Sequence, residues 1–126
     1  MERKDVIPVG TDTSAMIFTP GVQVGNLLFT SGSVGAKEGV LAGDDIASQS
    51  RQALENLGLV LDAAGTSFAN VIKLNCFLAH PKRDFGGWNA VYKEFFPNKP
   101  PARTTIGGPA AMEGALIEIE LVALVP

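Results

Sequence analysis

The run Leu116-Ile117-Glu118-Ile119-Glu120-Leu121-Val122-Ala123-Leu124 constrains what this chain can fold into more than any other stretch. Its alternation reads as a β-strand with Ile117, Ile119 and Leu121 on one face. Glu118 and Glu120 then share the opposite face with Leu116 and Val122. Two carboxylates on an otherwise apolar face are costly to bury without partners. Arg103 lies upstream in Pro101-Ala102-Arg103-Thr104-Thr105-Ile106, a short β-prone segment that begins after two prolines and sits at a plausible hairpin distance. A guanidinium facing one or both carboxylates would satisfy them. The pattern fits a structural clasp across a hairpin, and it equally fits a site. In the second case the arginine grips a substrate carboxylate bidentately, and a partly desolvated glutamate orients a water. That pairing suits hydrolysis of a small carboxylic acid with no metal or organic cofactor. Spacing alone does not rank Glu118 above Glu120.

A chain of 126 residues is the size of one domain, here residues 1–126, and can bury a genuine core. Ten basic against thirteen acidic residues give a net charge of −3, and the basic residues form no stripe interleaved with aromatics. That argues against a nucleic-acid partner. A single cysteine excludes an intrachain disulfide. Met1-Glu2-Arg3-Lys4-Asp5 leads into no apolar signal region, and no apolar run is long enough to span a bilayer. The expectation is a soluble, cytoplasmic protein without membrane contact.

In chain order, residues Asp5 to Val9 can form a first strand ended by the Gly10-Thr11-Asp12-Thr13-Ser14 turn cluster. Met16-Ile17-Phe18-Thr19 leads through Pro20-Gly21 to Val22-Gln23-Val24, and Gly25-Asn26 then joins this run to Leu27-Leu28-Phe29-Thr30 as a hairpin. The glycine-rich stretch after Ser31 reads as a long loop to Gly43. A helix from Ile46 to about Ala64, capped by Asp44 or Asp45, carries Ala53, Leu54, Leu57, Val60 and Leu61 on one face. Gly65 follows its end, and Gly58 within it suggests close packing on a sheet. Asn70 to Ala79 is a strand with Ile72, Leu74, Cys76 and Leu78 on one face. A second helix, from about Asp84 to Phe96, packs through Phe85, Trp88, Val91, Tyr92 and Phe95, and Pro97 stops it. The order β-β-β-α-β-α-β-β describes an α+β domain, a six-stranded mixed sheet with two helices on one face. The other face still carries Phe77, Leu116, Val122 and Leu124, which points to homo-oligomerisation through it. Such an interface would also bury Glu118 and Arg103.

Other chemistry is poorly supported. His80 and Cys76 are the single histidine and cysteine, and neither has the neighbours that a zinc site or a catalytic triad requires. Cys76 faces the helices as core, and His80 precedes a proline in a turn. Gly32, Gly35, Gly39 and Gly43 are too loosely spaced for a phosphate loop, and Gly107-Gly108 opens no helix.

Several segments together resemble the Rid (reactive intermediate deaminase) family, also called the YjgF family. They are Gly25-Asn26 through Thr30-Ser31-Gly32, Gln49 to Leu57, Asn89-Ala90-Val91-Tyr92-Lys93-Glu94-Phe95-Phe96, Pro101-Ala102-Arg103-Thr104-Thr105 and Ile117-Glu118-Ile119-Glu120. The resemblance implies a chorismate-mutase-like homotrimer with a central barrel and sites in the clefts between subunits. It implies hydrolysis of enamine or imine acids, such as 2-aminoacrylate and its imine tautomer, to 2-oxo acids and ammonia. Arg103 would bind the substrate carboxylate and Glu118 would position the attacking water. The backbone of Gly32 and Thr105 and the side chain of Asn89 would line the pocket. Phe18 stands where tyrosine is typical, Ser33 where glutamine is common, and Thr105 where cysteine is common. That altered lining leaves room for a larger imino acid of the aminomuconate type. Other members have been assigned non-catalytic carboxylate-binding, chaperone-like or endoribonuclease roles.

Overall fold

The computed structural model describes residues 1–126. β1 (Arg3–Val6), β2 (Gly21–Val24) and β3 (Leu27–Thr30) form an antiparallel meander, and Gly25-Asn26 makes the expected tight turn between β2 and β3. Pro8 follows the end of β1, so the first strand is earlier and shorter than Asp5 to Val9. The stretch read as a long loop is more ordered than its glycines suggest. It contains β4 (Ser33–Val34) and a small hairpin of β5 (Ala36–Lys37) and β6 (Val40–Leu41). Glu38 and Gly39 turn that hairpin with φ of 52° and 79°, the paired positive φ values that match the strand twist.

α1 (Ile46–Ala63) begins at Asp45, whose carboxylate accepts the Ser48 N–H, and Gly65 lies just beyond its C-cap. It buries Ala53, Leu54, Leu57, Val60 and Leu61 as its periodicity requires. Gly58 packs on the Phe68 ring of a short 3-10 turn, at 3.2 Å from where a Cβ would lie, and not on the sheet. β7 (Val71–Leu78) follows, then α2 (Pro81–Phe95), which starts three residues earlier than expected because Pro81 suits a first helical position. β8 (Ala102–Gly107) and β9 (Ile117–Leu124) complete the chain.

The main sheet has seven strands, with the order β1-β2-β3-β9-β7-β8 and β4 paired beside β9. Six lie along this path. The seventh arises because the chain bulges at Ser31-Gly32, so that β3 and β4 pair successively with β9. Leu121 N–H, left without a backbone partner at the bulge, donates to Thr30 Oγ1 at 3.0 Å. The sheet is mixed, since β7 and β8 are parallel while the other pairings are antiparallel. Parallel neighbours need a crossover, and α2 supplies it.

This crossover corrects the expected hairpin. β8 and β9 are not neighbours, because β7 lies between them and uses both of its edges. A second correction falls within β7. A register shift between Val71 and Lys73 turns Ile72 outward, 42% exposed, and Val71 takes its place in the core.

Both helices cover one face of the sheet. Leu74, Cys76, Leu78, Ile117, Ile119, Leu121 and Ala123 point into that layer with Leu54, Leu57, Leu61, Trp88 and Val91. Phe85 does not join the core and is 44% exposed. The opposite face has no cover in the single chain, and Phe29, Ile106 and Leu124 are 47%, 47% and 38% exposed there. No helix is long and apolar enough to cross a membrane.

Candidate active site

Arg103 projects to the helix side of β8. Its register partner is Leu74, whose own partner on β9 is Leu121, and both are core residues. Its Nη1 donates to Asn89 Oδ1 at 2.8 Å, and its guanidinium carbon lies 4.6 Å from the centre of the Tyr92 ring and 5.7 Å from that of Phe85. Phe85, Asn89 and Tyr92 stand at i, i+4 and i+7 on α2, so one helix face presents all three to the strand that the helix leads into. The core reading of Phe85 and Tyr92 missed this role. The i, i+4, i+7 spacing beside a parallel crossover is the signal that could have found it.

The arginine belongs to none of the chain's ion pairs, which are Arg3–Asp5, Arg51–Glu94 and Arg83–Asp84. One amide oxygen and an aromatic platform hold a half-buried cation and leave donors free for an anion. Thr105 lies two residues on, with its hydroxyl 2.9 Å from the Cys76 sulfur. Burial raises the Cys76 thiol's pKa, against the Thr105 hydroxyl beside it and the positive charge of Arg103. Burial likewise raises the Tyr92 phenol, against the pull of Arg103.

Glu118 projects from the opposite face of the sheet. Its register partners are Phe77 and Val34. Gly32 packs directly against its carboxylate, and a Cβ there would overlap Oε2 and come within 3.0 Å of Cδ. The two glutamates, equivalent by spacing, differ in their partners. Glu120 accepts from Asn75 Nδ2 at 3.2 Å, while the Glu118 carboxylate accepts no hydrogen bond within the chain.

Arg103 and Glu118 therefore do not meet within one subunit, and the expectation that one uncovered face holds both is corrected. The candidate residues form two groups. Arg103, Asn89 and Thr105 stand together beside α2, and Glu118 with Gly32 stands on the open face. Phe18 and Ser33 border a third region, an open groove of ≈ 830 Å³ between residues 8–20 and α1, which Gly32 also lines. Ser33 turns toward α1, where its hydroxyl accepts from Asn56 Nδ2 at 3.3 Å, so it does not face Glu118. No three His, Cys, Asp or Glu side chains are grouped to hold a metal ion.

A helix-backed mixed sheet of this topology is the fold of the YjgF proteins. The crystal structure of the Escherichia coli YjgF gene product matches with a TM-score of 0.87 at 28% identity, over 98% of this chain and 99% of that one. That of yeast YEO7 matches at 0.90 and 29%, over 99% and 100%. The chain belongs to the YjgF/Rid family, whose model, described as endoribonuclease L-PSP, matches residues 12–125. Protein mmf2, mitochondrial, of Schizosaccharomyces pombe is 39% identical over 109 residues, 84% of this chain and 86% of that protein. The 2-iminobutanoate/2-iminopropanoate deaminase of Mus musculus is 38% identical over 109 residues, 85% of this chain and 80% of the enzyme.

Proposed function

We propose that the protein hydrolyses reactive enamine and imine acids to 2-oxo acids and ammonia, in sites built between subunits of a homotrimer. The observation that carries this reading is Arg103, a half-buried guanidinium without a carboxylate, held by Asn89 over Tyr92. Relatives named 2-iminobutanoate/2-iminopropanoate deaminase support the substrate class. The opposed faces of Arg103 and Glu118 support a shared site. One subunit supplies the carboxylate clamp, and the open sheet face of its neighbour supplies the glutamate. Association through that face also removes Phe29, Ile106 and Leu124 from water.

In this site Arg103 grips the substrate carboxylate and fixes the imine carbon. Glu118 accepts a proton from a water as the oxygen attacks that carbon, giving a tetrahedral carbinolamine. Nitrogen takes that proton back and then the hydroxyl proton as the carbonyl forms, so the C–N bond breaks with loss of ammonia. The net reaction is imine plus water to 2-oxo acid plus ammonia. An enamine substrate first takes a proton on its terminal carbon.

The test generates imino acids in situ with an amino-acid oxidase and follows ammonia release. Wild-type protein accelerates release, and Arg103→Ala abolishes the acceleration. Equal rates with and without the wild-type protein across several amino acids overturn the reading. Carboxylate binding that requires Arg103 but gives no turnover replaces it with a binding function.

A further inference from the structure

A polar line behind Arg103 has no part in the chemistry above. Trp88 is fully buried, and its indole Nε1 has no hydrogen-bond partner at ordinary distance. The Cys76 sulfur lies 3.7 Å from the Thr104 carbonyl oxygen and 2.9 Å from Thr105 Oγ1. A carbonyl oxygen can only accept, whereas a thiol or a hydroxyl can donate or accept. Both contacts are hydrogen bonds only when the single thiol proton goes to Thr104 and the sulfur accepts from the Thr105 hydroxyl. That arrangement draws the Thr105 hydroxyl proton inward and leaves the oxygen lone pairs facing outward.

We propose that the Thr105 hydroxyl is a hydrogen-bond acceptor for the substrate nitrogen, and that Cys76 is the positioning residue that fixes this polarity. The proposal rests on the reading of Arg103 as the carboxylate site. Arg103 and Thr105 share a face of β8 two residues apart, about 6.6 Å along a strand. A carboxylate in contact with the guanidinium carries an α-nitrogen two bonds from its carbon, on the strand face that Thr105 shares. Imine, iminium and enamine nitrogens all bear N–H. The 2-oxo acid presents only a carbonyl oxygen at the same point, so lone pair faces lone pair. Thr105 thus favours substrate over product, and the thiol behind it prevents the hydroxyl from turning to bind product.

The test compares wild type, Thr105→Val, Thr105→Ser and Cys76→Ala by KM, kcat and inhibition by 2-oxobutyrate. Thr105→Val is expected to raise KM about 10-fold, the effect of one lost hydrogen bond, with kcat little changed, and Thr105→Ser to restore it. Cys76→Ala is expected to raise KM for the imino acid while tightening inhibition by 2-oxobutyrate, because the freed hydroxyl can donate to the product carbonyl. Opposite shifts for substrate and product are not produced by a merely loosened site. An unchanged KM in Thr105→Val, or substrate and product weakening together in Cys76→Ala, overturns the proposal. If Cys76→Ala does not fold, the Val and Ser variants at position 105 decide it. If the wild type turns over no imino acid, the deaminase reading fails separately and 2-oxobutyrate binding is the readout. Tighter binding by Cys76→Ala then supports the polarity, and equal or weaker binding refutes it.

Discussion

Replacing Gly32 with alanine separates the chemistry of Glu118 from the stability of the fold. The added methyl would overlap Glu118 Oε2 and stand 3.0 Å from Cδ and 3.1 Å from Cγ. Non-bonded carbons are comfortable at about 3.5–4.0 Å, so the carboxylate must move by roughly 1 Å. A misplacement on that scale costs about 100-fold in rate, or about 2.7 kcal/mol in the barrier. The cost in folding is small. The φ of Gly32 lies outside the left-handed region, and the displaced atoms are the end of a flexible side chain. Removing a glycine also restricts the unfolded chain, worth about 0.4–1 kcal/mol in the stabilising direction. Ammonia release should show kcat/KM reduced about 100-fold, and urea unfolding should place the variant within about 1 kcal/mol of wild type. Wild-type kcat/KM would refute the claim that the Glu118 carboxylate must sit where Gly32 allows it. Loss of several kcal/mol alongside activity would mean damage to the fold instead.

Two further predictions concern the scaffold. Leu54 is fully buried between α1 and the sheet, so Leu54→Ala should cost about 2–5 kcal/mol in urea denaturation, and a cost near zero would contradict the packing described. Asp45 caps α1, and its hydrogen bonds from Ser48 hold its carboxyl below the usual range. A depressed folded-state pKa contributes stability above the unfolded pKa, near 3.9, and that contribution disappears as pH falls through the folded value. Asp45→Ala should therefore be less stable than wild type at neutral pH, with the gap closing in acid, and a gap independent of pH would refute the cap's role.

Much of the fold was legible because periodicity and punctuation agree locally. The alternation of Ile117, Ile119 and Leu121, the Gly25-Asn26 turn and the apolar face of α1 each point to one element and one orientation. Strand pairing was not legible, because it depends on partners distant in sequence. Arg103 and Glu118 are close enough along the chain to suggest a hairpin, yet the α2 crossover sets β8 against the far edge of β7. The same topology puts the two residues on opposite faces, so they form no clasp within one chain. Spacing could not rank the glutamates, although the resemblance named Glu118; the structure tells them apart through Asn75, whose bond to Glu120 comes from a strand more than forty residues away. Ile72 was misplaced because a bulge shifts the alternation without any glycine or proline to mark it.

The central claim is that each site takes Arg103 from one subunit and Glu118 from its neighbour. Arg103→Ala and Glu118→Gln, each inactive alone, can be unfolded together in equal amounts and refolded as mixed oligomers. In a cyclic assembly with random mixing, a site is intact when one subunit keeps its arginine and the next keeps its glutamate, which happens in about a quarter of cases. Recovery of about a quarter of wild-type activity is the predicted result. Mixed oligomers that remain inactive would contradict the account.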